Sequence, residues 1–184
     1  FARFSILVRF RLLLNSIYPF LLFGKSLANN RPDLDILNYR DKILKKSAYA
    51  LLNQTDPNGL FFPINDAQKG MSIYNSSLIA AVDLAYKYGG ENLSLLSVAE
   101  AQGEVLLDAA GMSVALNLKN KKPLIRQSGV FADGQNGDLG GIGILRDANE
   151  HEVFFKFGSQ CMGHGHFDKL SFFLYEKGEE VIQD

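Results

Sequence analysis

Two of the three histidines in this 184-residue sequence lie one residue apart, at His164 and His166. Two aspartates, Asp168 and Asp184, follow them along the chain. Imidazole nitrogens and carboxylate oxygens are ligands that zinc takes in proteins. An imidazole can also exchange protons near neutral pH. The chemistry open to this stretch is therefore metal binding, acid–base work, or both.

The spacing of the two histidines favours one face of a strand. Alternate residues of a regular strand point the same way, so both imidazoles would share a face unless Gly165 provides a kink. Asp168 could be a further ligand, but we expect it to support a ligand or to lie at the strand edge. The third histidine, His151, stands beside Glu152 and is expected to be exposed to solvent.

Asp184 is harder to bring to His166. A hairpin that turns at Lys177-Gly178 would place Asp184 opposite Ser171, on the order of 16 Å along the strand from His166. A bend or a strand crossing would be needed to join them.

The first elements along the chain are predicted to be helices. Apolar residues at nearly every position predict a buried helix over 17–28. Asp33 is the expected N-cap of an amphipathic helix that runs to Leu52. The residues Leu60–Gly70 then form an irregular connection, which could be a loop on the core or a loop facing substrate. In the second case its exposed polar groups would be Asn65, Asp66 and Gln68.

Two more helical stretches follow. One is predicted over 76–88, ended by Gly89-Gly90. The other begins near Ser94, breaks near Gly103, continues through 105–107, and is interrupted by Gly111.

The second part of the chain is predicted to be antiparallel β-structure. Gly141–Arg146 and His151–Phe157 are strand-like runs joined by a turn at 147–150. Leu170–Tyr175 and 180–182 form the next hairpin, with its turn at Lys177-Gly178. Helices followed by antiparallel strands indicate an α+β protein whose boundary lies at about residues 119–128.

Composition narrows the function classes. A net charge of −1 gives no sign of nucleic-acid binding, and 47% hydrophobic residues can build a core. The Lys119–Lys122 segment is expected to be a solvated loop. Cys161 is the only cysteine, so no internal disulfide can form. Three arginines inside the apolar first 23 residues argue against a membrane span.

Three segments carry a family resemblance: residues 17–37, 52–72 and 158–184. Together they resemble the heparinase II/III-like polysaccharide lyases, and more closely the oligoalginate lyases of polysaccharide lyase family 17. The resemblance implies the last helices of an α/α toroid over 1–122, of which 1–16 diverges, and the start of an antiparallel β-sandwich over 123–184.

The resemblance also implies a function. It implies β-elimination on alginate oligomers, an acidic polysaccharide substrate, and a periplasmic or secreted location. His164 would hold or neutralise the substrate carboxylate, and His166 and Asp184 would bind a structural zinc ion with a third ligand not identified here. The family's catalytic Tyr and Asn-His pair have no counterpart in the chain. We therefore expect a catalytically incomplete fragment of a longer protein.

Two alternatives stay open. The first is a heparinase-like lyase for another uronate polymer, such as a glycosaminoglycan; the near-neutral charge leans against sulfated substrates. The second is a non-catalytic carbohydrate-binding remnant. The preferred uronate, the endo or exo mode and the oligomeric state do not follow from the sequence.

Overall fold

A computed structural model describes residues 23–24, 26–27, 29–35, 38, 42, 46, 50–64, 69–133, 136, 138–158 and 170–182. The chain divides into two compact units, a helical unit (14–53 and 72–126) and a sheet unit (1–13, 54–71 and 127–184). Helices and an antiparallel sheet together confirm the α+β class. The toroid, the sandwich and the domain limits at 122 and 123 remain predictions.

Three helices of the helical unit are described from end to end, α1 (Ile79–Gly89), α2 (Ser94–Gln102) and α3 (Ala109–Asn117). Short 3-10 turns lie at Pro32–Leu34, Ser76–Leu78 and Leu118–Asn120. The described residues of 23–30 are helical, as are residues 42, 46 and 50–53. Among the described residues, none of the helices is long and apolar enough to cross a membrane. The buried apolar side chains of this unit include Ile73, Val82, Leu84, Tyr86, Leu95, Leu96, Val98 and Val114.

The start of the long second helix lies outside the described residues. Asp33, its predicted N-cap, lies within the 3-10 turn, where its carboxylate is 2.6 Å from Arg31. Asp35 accepts the Asn38 N–H at 3.3 Å. In the preceding helix Phe23 is 56% exposed, so the expected burial does not extend to this side chain.

The later helix ends are partly as predicted. Gly90 and Gly103 end α1 and α2 in left-handed conformations, with φ of 104° and 77°. The continuation through 105–107 is wrong, because residues 103–106 are not helical. Gly111 does not interrupt a helix either. It lies in the first turn of α3, where Asp108 accepts the Gly111 N–H at 3.1 Å as the N-cap.

The sheet unit is a five-stranded antiparallel meander in chain order. Its strands are β1 (Gly129–Asp133), β2 (Gly140–Arg146), β3 (His151–Phe157), β4 (Phe172–Glu176) and β5 (Glu179–Ile182). Strands β2 to β5 and both turns confirm the predicted hairpins. Strand β1 was not predicted, since it lies in a glycine-rich stretch and is defined by its pairing with β2.

One face of the sheet is covered by the segment 55–64. Phe62 is fully buried and stacks on Phe154 of β3, with ring centroids 4.4 Å apart. Its edge meets Tyr175 of β4 at 5.8 Å. The interpretation of this connection as a loop on the core is therefore confirmed for its described part. Asn65, Asp66 and Gln68, which the substrate-facing alternative would use, lie outside the described residues.

The middle of the other face of the sheet is apolar. Two of its cross-strand rows, read from the register, are Val130, Gly143, Phe155, Phe172 and Leu145, Val153, Leu174, Ile182. Neither row contains a charged residue. The outermost members of the rows are exposed, with Val130 at 65% and Ile182 at 41%. The middle of the sheet thus has the composition of one that is buried on both sides.

Candidate functional site

The predicted site residues lie outside the described part of the chain. This holds for His164, His166, Asp168 and Asp184, and the structure gives no position for them. Among the residues that it does describe, no group of three His, Cys, Asp or Glu side chains could hold a metal ion. What the structure does define is the set of strand ends from which the site residues depart.

These strand ends meet at one end of the sheet. β3 ends at Phe157 and β4 begins at Phe172, and the two are antiparallel neighbours whose last described pair is Phe155 with Phe172. The segment with both histidines connects them. β5 ends at Ile182, which pairs with Leu174 near the start of β4. The segments that carry the predicted zinc ligands therefore leave the sheet from the same end.

The point where β3 leaves the sheet is shaped by two glycines. Gly158 has φ of +132° and Gly140 has φ of +107°, both in the region that favours glycine. A Cβ on Gly158 would lie 2.5 Å from the Gly140 Cα atom, which is too close. The backbone of β2 and the exit of β3 can approach closely here only because neither residue has a side chain.

The β4–β5 hairpin contains an irregularity that the sequence did not reveal. The turn lies at Lys177-Gly178 as predicted, with φ of 51° and 81°. The register then shifts between Leu174 and Tyr175. Regular pairing would set Ile182 opposite Phe173, but it pairs with Leu174. The simple register used in the prediction is therefore shifted by one residue at Ile182, because a β-bulge adds a residue to β5. Asp184 itself lies outside the described residues.

The hairpin is anchored to the segment 55–64. Asn58 donates its side-chain amide to the Gly178 carbonyl at 2.8 Å. Asp56 is buried and accepts the Leu60 N–H at 2.8 Å, which closes the turn that carries Asn58. Lys69 and Glu180 form a looser ion pair at 3.8 Å. These contacts hold the turn end of the hairpin against the segment.

A buried ion pair joins the two strands of the β2–β3 hairpin. Arg146 Nη2 lies 2.6 Å from Glu152 Oε1, with side chains 11% and 3% exposed. Arg146 also donates to the carbonyls of Thr55, at 2.8 Å, and Gln127, at 2.7 Å. Sequence reasoning missed this group. The cross-strand pairing of Arg146 and Glu152 in the predicted β2–β3 hairpin was the signal that could have found it.

Tyr175, which pairs with Glu152 across β3 and β4, is unsuited to proton abstraction. Tyr175 is 4% exposed. Burial raises the pKa of its phenol far above the ordinary value, and the charges of Glu180, Asp56 and Glu152 raise it further. Tyr175 therefore keeps its proton at neutral pH and serves the core rather than acid–base chemistry.

His151 is exposed, as expected. Its Nδ1 lies 2.8 Å from Asp147 Oδ2 in the β2–β3 turn. The hydrogen bond to Asp147 raises the pKa of the imidazole above 6.5, and the Asp147 charge adds to this. Asp147 also accepts the backbone N–H groups of Asn149 and His151, so the pair stabilises a surface turn.

A comparison with known protein families finds a match for the strand-rich part of the chain. Residues 131–184 match the family model described as heparinase II/III-like, C-terminal. The resemblance of this part of the chain to the heparinase II/III-like family, seen in the sequence, is confirmed.

Two curated relatives are similar to nearly the whole chain. The chain is 37% identical over 174 residues to an exo-oligoalginate lyase of Saccharophagus degradans. It is 40% identical over 173 residues to an alginate lyase of Stenotrophomonas maltophilia. Each alignment covers 92% of this chain but 23% of the relative. The chain therefore spans about a quarter of the length of these relatives.

Proposed function

We propose that this chain is part of a polysaccharide lyase that cleaves alginate oligomers by β-elimination and releases an unsaturated uronate. The observation that carries the proposal is the identity of 37% and 40%, over nearly the whole chain, to two proteins named for alginate cleavage. The match to the heparinase II/III-like domain agrees with the same reaction class. The compartment we propose is the periplasm or the cell exterior, where such a polymer would be met.

Within this proposal His164 is the residue that acts on substrate. β-Elimination requires that the uronate carboxylate be neutralised so that the neighbouring C–H becomes acidic, that a base remove the proton, and that an acid protonate the leaving oxygen. An imidazole can hydrogen-bond a carboxylate and can be charged near neutral pH. His164 is assigned the carboxylate contact, while the base and acid would come from residues not identified in this chain.

We propose His166 and Asp184 as ligands of a structural zinc ion. Their donor atoms, an imidazole nitrogen and a carboxylate oxygen, are of the type that zinc prefers. The meeting of the β3, β4 and β5 ends at one end of the sheet supports the assignment, because both ligand segments leave from there. A bound zinc ion would tie these segments together and order that end of the sheet.

The apolar rows on the second face of the sheet support the sandwich architecture. Two sheets in a sandwich interdigitate the side chains of their inner faces. The rows that run from Val130 to Phe172 and from Leu145 to Ile182 have the composition of such an inner face. We propose that a second β-sheet of the same protein packs on them, and that the helical unit is part of an α/α toroid.

A second candidate substrate is another uronate polymer. The name of the matched domain, heparinase II/III-like, favours it. The net charge of −1 provides no excess of basic groups for a sulfated chain, so alginate remains the proposed substrate.

A chimaera provides the test. The aligned region of the Saccharophagus degradans relative would be replaced by this chain, and the ultraviolet absorbance of the conjugated double bond would be followed with alginate oligomers, heparin and hyaluronan. We expect an absorbance rise with alginate alone, and its loss in the His164→Ala chimaera. The matched control is His151→Ala, an exposed histidine on a turn, which should retain the activity.

Two other outcomes are informative. A rise with heparin or hyaluronan instead would replace alginate by the second candidate. No rise with any polymer, from a chimaera whose circular dichroism and melting match the parent relative, would contradict the lyase proposal and favour carbohydrate binding.

The zinc assignment has its own readout. Metal content measured after dialysis should be near one zinc ion per chimaera, and should fall strongly in His166→Ala and in Asp184→Asn. His151→Ala again serves as the control with unchanged metal. Retained zinc in both ligand variants would contradict the assignment, whatever the activity.

A further inference from the structure

The helical unit contains a buried carboxyl group that the proposed reaction does not use. Asp83, on α1, has no exposed surface. Its Oδ2 accepts the backbone N–H of Leu106 at 2.7 Å. Its Oδ1 is buried and has no hydrogen-bond partner among the described residues. An ionised carboxylate here would have one hydrogen bond where several are needed to replace water.

Leu106 is held from its other side as well. It lies in the non-helical connection between α2 and α3, and a Cβ on Gly111 would overlap the Leu106 carbonyl oxygen. The glycine therefore lets α3 lie directly on this backbone. The connection is thus enclosed between α3 and the carboxyl of Asp83.

The charges around Asp83 do not compensate it. Burial raises the pKa of Asp83 to about 6, and the negative charge of Asp108, at the N-cap of α3, raises it further. α3 and the 3-10 turn before α1 contain no titratable residue. α2 contributes Glu100, which forms a surface ion pair with Lys121.

Two further charged residues belong to the neighbouring backbone. Lys87 lies one turn after Asp83 on α1 and is partly exposed, and Glu104 of the connection is exposed. Both have access to water, which screens their charges. Solvation of the carboxylate therefore requires that the connection itself move.

We propose that Asp83 is a proton-dependent latch on the connection between α2 and α3: protonated, it keeps the Leu106 backbone bonded, and ionised, it favours opening of the connection. Opening lets water reach both carboxylate oxygens and separates the charge from Asp108. The latch is a property of the helical unit and does not rest on the proposed lyase activity.

The direction in which opening changes with pH follows from the pKa of Asp83 in the closed and open states. The closed state holds Asp83 with a pKa of about 6, above the ordinary 3.8 that a solvated carboxyl would have when open. The closed state therefore binds more protons between these values, and it loses its advantage as pH rises. The equilibrium constant for opening should increase about ten-fold between about pH 5 and about pH 8.

Amide hydrogen exchange at Leu106 measures the opening directly. The protection factor, corrected for intrinsic exchange and divided by that of Ile144 in the other unit, should fall about ten-fold from about pH 5 to about pH 8. In Asp83→Asn, which keeps an acceptor but cannot ionise, the ratio should not change with pH. Glu100→Gln, at a surface ion pair, is the matched control and should behave as the unmodified chain.

The unmodified chain alone can test the proposal, even if the Asp83→Asn variant folds poorly. A pH-independent ratio in the unmodified chain would overturn it. So would a fall of the same size in a folded Asp83→Asn protein. As a second variant, Asp108→Asn keeps a good N-cap but removes the like charge. It should move the transition to lower pH, and an unchanged midpoint would contradict the stated role of Asp108.

Discussion

Replacing Glu152 with Gln should destabilise the sheet unit, because it leaves the Arg146 guanidinium without its buried counter-charge. The two side chains are 11% and 3% exposed, and their closest atoms are 2.6 Å apart. Breaking a buried pair by removing one charge costs about 3–5 kcal/mol. Arg146 keeps its bonds to the carbonyls of Thr55 and Gln127, so the lower end, about 3 kcal/mol, is expected.

Urea denaturation, followed by a probe in the sheet unit, would measure this loss. The control is the exposed pair of the same hairpin, His151 with Asp147, each about half exposed. Asp147→Asn should cost much less free energy of unfolding than Glu152→Gln, because water screens an exposed ion pair. The double variant Arg146→Met with Glu152→Leu should be more stable than Glu152→Gln, because it leaves no charge in the core.

The reasoning about this pair would be refuted by either of two results. One is a Glu152→Gln protein within about 0.5 kcal/mol of the unmodified chain, the range expected of surface changes. The other is a double variant that is less stable than the single one, which would mean that the charges contribute net stability rather than satisfying each other.

Two further predictions concern local geometry. Gly111→Ala should cost about 1–3 kcal/mol of unfolding free energy, because its Cβ would overlap the Leu106 carbonyl, whereas Met112→Ala, at an exposed position of α3, should be nearly neutral. Equal effects of the two changes in thermal melts would contradict the overlap. The His151 ring should titrate above 6.5 in an NMR experiment and return toward that value in Asp147→Asn. Its raised pKa means that the pair stabilises the fold below the ordinary pKa and loses this as pH rises through the folded-state value.

The strands were the more predictable half of the fold. Alternating and β-branched or aromatic runs mark β2 to β5, and the Lys177-Gly178 turn has the positive φ values that a tight hairpin demands. β1 was missed because Gly129–Asp133 has little strand propensity of its own and becomes a strand by pairing with β2.

The helix boundaries show where local rules compete. Asp33, the predicted N-cap, lies inside the 3-10 turn Pro32–Leu34, where Arg31 binds its carboxylate. Glycine usually weakens a helix, but Gly111 lies inside α3. The backbone of Leu106 occupies the space that a side chain at this position would need. Contacts between segments distant in sequence decide such cases, and a single sequence does not contain them.

The sequence and the structure each define a different part of the candidate site. The residues with suitable chemistry, His164, His166 and Asp184, came from the sequence, and their roles remain proposals. The structure adds the strand ends that carry them and the bulge that shifts β5 by one residue. A bulge has no reliable signature in one sequence, because it depends on which cross-strand neighbours a strand finds.

The most direct test of the central claim is the mass of the products that the chimaera releases from alginate oligomers. β-Elimination breaks the glycosidic bond without adding water and leaves a double bond in the new non-reducing end, whereas hydrolysis adds one water molecule for each bond broken. The account predicts products whose masses sum to that of the oligomer, with one unsaturated uronate per cleavage. Products that have gained water, or an intact oligomer after incubation with a folded chimaera, would contradict it.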